Sequence, residues 1–150
     1  MATPANAPSS FPNRDALIEL LHQIITAIAP RVEASTGTQK LDIRGLEQIE
    51  RQLNNMLPML QFERLDAEDA RDWDGVDGLT QTIDACKDAL NRVRAAILRA
   101  TVIPLHDQDL AELSDLKDKI DTAARIGGQF QVVLSVLNFV QRLILPGLVI

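Results

Sequence analysis

The chain has 150 residues, of which 46% are hydrophobic and 24% charged, with a net charge of −6, four Phe, one Trp and no Tyr. That length suits one domain able to bury about 68–70% of its unfolded surface without a covalent staple, and the composition excludes a disordered chain. A single cysteine, Cys86, excludes an internal disulfide, and an acidic chain poor in aromatic residues argues against a nucleic-acid surface, which needs a basic field.

Residues 1–12 are mostly Ala, Pro, Ser and Asn without periodicity and are expected to form a disordered tail. They lack the basic start and continuous apolar run of a secretory signal, so the expected compartment is the cytoplasm. From Asn13, a candidate N-cap, Leu17, Leu20, Leu21, Ile24, Ile25, Ile28 and Val32 recur at threes and fours. This spacing predicts a first helix from Arg14 to about Ala34, with Pro30 able to end it early, and then a turn over 35–40. A second helix is predicted from Asp42 to about Arg64. Its seam is Leu46, Ile49, Leu53, Met56 and Leu60, and Pro58 is expected to kink it.

Residues 66–78 read as an acidic connection around Trp73. The third helix follows with the cleanest heptad spacing in the chain (Val76, Leu79, Ile83, Cys86, Leu90, Val93, Ile97) and ends before Pro104. A fourth helix begins near Asp107, with Leu110, Leu113, Leu116, Ile120 and Ala123 as its seam. The lengths and short connections predict an all-α fold: an antiparallel up-down four-helix bundle over 13–126, followed by an apolar C-terminal segment over 127–150.

That last segment changes the character of the chain. Gly127 and Gly128 form a candidate hinge, and from Ile126 to Ile150 the sole charged residue is Arg142. Gln131, Ser135, Asn138 and Arg142 make one narrow polar stripe, and the residues around it are apolar. The segment is therefore either a fifth helix folded onto the bundle or an extension of the fourth, and something must cover it. Phe130, Val133, Leu134, Leu137, Phe139, Val140, Leu143 and Ile144 are the candidate contact residues for a second copy or a protein partner. Two alternatives are a membrane-active helix, stored and released, and a carrier of an apolar ligand. Asn138, Gln141, Arg142 and Pro146 interrupt the apolar run that a spanning helix needs, and an acidic protein gains nothing from anionic lipid.

Chemistry-bearing motifs are weak by comparison. Asp72, Asp74 and Gly75 resemble part of an EF-hand loop, but with Gly75 at the sixth position Ala70 and Gln81 fall where carboxylates are required. His22 and His106 have no metal-ligand spacing around them, Cys86 occupies a seam position that suits a small buried hydrophobe, and no phosphate-binding glycine motif occurs. The expected function is a non-enzymatic interaction module without metal or cofactor.

Overall fold

The computed structural model describes residues 14–29, 39–126 and 129–144. Among them are five helices, α1 (Arg14–Ile28), α2 (Ile43–Asp69), α3 (Trp73–Leu98), α4 (Asp107–Ile126) and α5 (Gln129–Leu143), and two strands, β1 (Gln39–Leu41) and β2 (Ile103–Leu105). The tail, the Asn13 cap, Pro30 to Ala34, the Gly127–Gly128 pair, the Phe130 side chain and residues 145–150 lie outside the described residues.

The chain is largely helical as expected, with departures at the helix ends. α1 stops at Ile28, and Ala29, which precedes Pro30, is already outside the helix, as the clash with a following proline ring favours. α2 does not stop at Arg64. Its seam continues through Glu63, which is buried, and half-buried Ala67, so packing carries the helix through acidic residues to Asp69. Pro58 stands on the exposed side of α2 within the unbroken helical span. The expected acidic connection over 66–78 shrinks to residues 70–72.

Both hairpin helices end in the same way. Asp72 N–H donates to the Ala67 carbonyl and Arg71 N–H to that of Glu68, with Arg71 left-handed at φ 60°. At the end of α3, Thr101 N–H donates to Ala96 and Ala100 N–H to Ile97, with Ala100 at φ 51°. These are Schellman closures, which usually hold glycine at the left-handed residue. Ala100→Gly is therefore expected to stabilise the protein by about 0.5–1 kcal/mol, read as a rise in the denaturation midpoint at unchanged m-value. Asp72 then caps α3 by accepting the Gly75 N–H at 3.1 Å, so this carboxylate is used structurally.

The two-stranded sheet is an element the sequence reading lacked. β1 and β2 pair antiparallel, with Lys40 opposite Pro104. A proline cannot donate a ladder bond, but each strand of a two-stranded ribbon is an edge, where proline is tolerated. Ile103 and Leu105 point into the core on either side of it.

α2 and α3 form the longest pairing in the molecule. α1 packs on α2, α5 on α3, and α4 lies against α1 and α5. The expected bundle of the first four helices is thus rearranged, with α5 rather than α4 as the main neighbour of α3. α1 approaches α2 at Gly45, where a Cβ would stand 2.9 Å from the Ala27 carbonyl oxygen, closer than a side chain permits. α4 and α5 run antiparallel: Arg142 meets Glu112 at one end, and Gln131 and Val132 line a groove with Thr122 and Ala123 at the other. The segment after the glycine pair is a fifth helix folded back, not an extension of the fourth.

Candidate functional site

Of the residues nominated in α5, Val133, Leu137, Phe139, Val140 and Ile144 are buried in the protein's own core, and Leu134 and Leu143 pack half-covered against it. α1, α3 and α4 cover them. The polar stripe faces outward: Gln131, Asn138 and Arg142 are exposed, and half-buried Ser135 donates to the Gln131 carbonyl at 3.0 Å. A helix apolar around most of its circumference is here satisfied by three neighbours and one narrow opening to water.

Polar contacts fix α5 at its C-terminal end. The Gln141 side-chain amide donates to the Ala85 carbonyl at 3.2 Å, and the Arg92 guanidinium donates to the Gln141 carbonyl at 2.8 Å, tying α5 to α3. Arg142 pairs with Glu112 on α4 and lies over the Phe139 ring, 5.6 Å from its centroid. The bond to Glu112 is the main cause that raises the Arg142 pKa above its ordinary value, with its charge and that of Asp109 adding to the effect. Among the described residues no helix is long and apolar enough to cross a membrane.

His22 meets Asp121 at 3.2 Å across the α1–α4 contact, with both side chains partly exposed. On the α2 side of His22, an open groove of about 580 Å³ is lined by polar side chains that include Glu19, Gln23, Lys40 and Arg44. Cys86 is buried in the α2–α3 seam, 3.7 Å from the Leu53 carbonyl, and burial pushes its pKa up to about 12. A thiol held protonated is a poor nucleophile. Among the described residues no group of three or more His, Cys, Asp or Glu is placed to hold a metal ion.

Among the described residues most of the exposed large apolar side chains lie instead on the α2–α3 hairpin, with Val102 just beyond it. Arg94 on α3 bonds Glu50 and Asn54 on α2, each at 3.0 Å, which fixes the flanks of the two helices that lie on the same side. Trp73 stands three heptads before Arg94, and Ile43 one heptad before Glu50, so both belong to that flank. α5 sits on the other flank of α3, where it reaches Ala85 and Arg92, and α1 meets the other flank of α2 at Gly45. Among the described residues the flank marked by Arg94 is therefore open. Trp73 is 61% exposed and Leu98 87%, and on the outer face of α2 Phe62 and Leu65 are exposed as well.

Charge divides along the hairpin. Residues 61–80 hold seven carboxylates against Arg64 and Arg71, a net −5 within a chain of net −6. Residues 91–106 hold three arginines and no carboxylate. Sequence reasoning noted Trp73 but missed this surface. The signal was present in the apolar residues at 58, 62 and 65, which lie off the α2 seam at helical spacing. Comparison with protein-family models, with curated proteins and with solved structures gives no match.

Proposed function

We propose that this chain is a non-enzymatic interaction module of the cytoplasm, a helical bundle that presents the outer side of its α2–α3 hairpin to a second copy or a protein partner. One observation carries this reading. Large apolar side chains, Phe62, Leu65, Trp73 and Leu98, are held exposed on two well-packed helices whose own seam is filled. Exposed aromatic and aliphatic anchors on a rigid element are what such contacts use. α5 serves this role indirectly, because its apolar side chains complete the core that holds α3 in place. The covered apolar face of α5 favours this reading over storage and release at a membrane.

The test is site-specific photo-cross-linking in cells. A photoreactive residue at position 98 or 65 is expected to yield a discrete cross-linked species, and one at Asp115 on the exposed side of α4 none. Equal, diffuse labelling at all three positions would overturn the proposal.

A further inference from the structure

The open flank of α3 is the chemical complement of its own reverse. Its outward residues step by four and three from Trp73 to Leu98, and they pair about a point midway between Ala85 and Cys86. The two ends, Trp73 and Leu98, are apolar and strongly exposed. One step inward stand Asp77 and Arg94, and then Thr80 and Asn91, both polar. Nearest the centre stand Asp84 and Lys87, again opposite in charge. When a second α3 is laid antiparallel on this stripe, each residue meets its complement: Trp73 meets Leu98, Asp77 meets Arg94, Thr80 meets Asn91 and Asp84 meets Lys87.

We infer that a second copy of this chain occupies this flank, in a two-fold antiparallel contact between the α3 helices. The inference rests on the interaction-module reading and names its partner. Three observations support it. First, charge is complementary both residue by residue and at the scale of the hairpin, since the acidic end of one copy lies over the arginine-bearing end of the other. Second, the geometry closes. A two-fold contact uses the same patch on both copies, and a patch with this internal symmetry forms a dimer rather than an open chain. Third, the face is large enough. With 27 and 26 residues, α2 and α3 offer a strip about 40 Å long and roughly 20 Å wide, or on the order of 800 Å² per copy, the size of a standard stable interface. Ile43 at one end of α2 and Leu65 at the other extend the apolar contacts at each end.

Sedimentation equilibrium of the full chain, from about 100 μM down to about 1 μM, tests the inference. The expected result is a monomer–dimer equilibrium that loosens as salt is raised. Leu98→Asp places a carboxylate among apolar and acidic groups of the partner and is expected to weaken the dimer at least about 30-fold. Lys87→Asp sets like charges facing each other twice and is expected to weaken it about tenfold, while Asp84→Lys combined with Lys87→Asp restores it to within about threefold. All these positions are exposed, so an unchanged circular dichroism melt separates loss of contact from loss of fold.

A wild-type monomer throughout, a dimer indifferent to these substitutions, a double variant as weak as the single, or a mass that keeps growing past the dimer would each overturn the inference. A wild-type monomer that still gives a discrete cross-link to another protein from position 98 overturns the dimer and leaves the interaction reading standing. Loss of the discrete cross-link removes both.

Discussion

Leu137→Asp is expected to leave no folded protein at neutral pH. Leu137 is fully buried, with 0% of its surface exposed, in the face of α5 that packs into the core. Truncation of such a residue to alanine costs about 2–5 kcal/mol, and an ionised carboxylate in its place adds the cost of a buried charge without a partner. The sum reaches the whole stability of a typical domain, about 5–15 kcal/mol. Asn138→Asp, one residue along the same helix but on the exposed stripe, is expected to shift stability by no more than about 0.5 kcal/mol. The measurement is far-ultraviolet circular dichroism with size exclusion, at 25 °C and in a thermal ramp. A detachable α5 would give the opposite pattern, with Leu137→Asp folded and merely unable to bind. A folded Leu137→Asp variant would therefore return α5 to the list of contact surfaces. Truncation after Arg125 removes the same core residues, so its expected outcome is the same unfolding.

This contrast shows why periodicity located α5 but not its role. Apolar residues all around a helix state that it must be covered, and the four polar positions state where the gap lies. Neither states whether the cover is the same chain or another. Here the answer depends on long-range contacts such as Gln141 with Ala85 and Arg92, 56 and 49 residues away, for which the sequence carries no local mark.

The seams of α2 and α3 were legible because heptad spacing is local, and Cys86 falls where that spacing put it. The acidic run over 66–72 misled for a physical reason. Charge and turn-forming residues suggested a long connection, but a helix held by Leu60, Glu63 and Ala67 on its packed side tolerates carboxylates on the other. Shortening that connection to three residues turned a loop into the end of a rigid hairpin. It also set Trp73 at the first position of α3, from which its relation to Leu98 follows. The β1–β2 ribbon was illegible because three-residue strands fall below any period, and its pairing joins residues more than sixty positions apart.

The buried thiol makes the second large prediction, in the alkaline range. In the unfolded chain Cys86 loses its proton at the ordinary value of 9.0, whereas burial in the α2–α3 seam holds that proton up to about 12 in the folded protein. Between those values the unfolded state binds fewer protons than the folded one, so stability falls as pH rises. Below pH 9 both states carry the neutral thiol, and the favourable packing is fully present. Above it the slope approaches about 1.4 kcal/mol per pH unit, which amounts to a loss of roughly 2–3 kcal/mol by pH 11. Cys86→Ser removes the titration and keeps a donor facing the Leu53 carbonyl, which in the wild type accepts from the Cys86 Sγ–H at 3.7 Å. Guanidinium unfolding at intervals from pH 8 to pH 11 is therefore expected to show the wild type losing stability faster than the serine variant, with the difference opening only above pH 9. Every other group is common to the two proteins, so the comparison isolates the thiol. Parallel curves would mean that water or movement of α2 against α3 reaches the thiol. Reaction with a disulfide reagent, expected only as fast as the hairpin opens, would then proceed in the native protein and show that the seam beneath the proposed dimer face is loose.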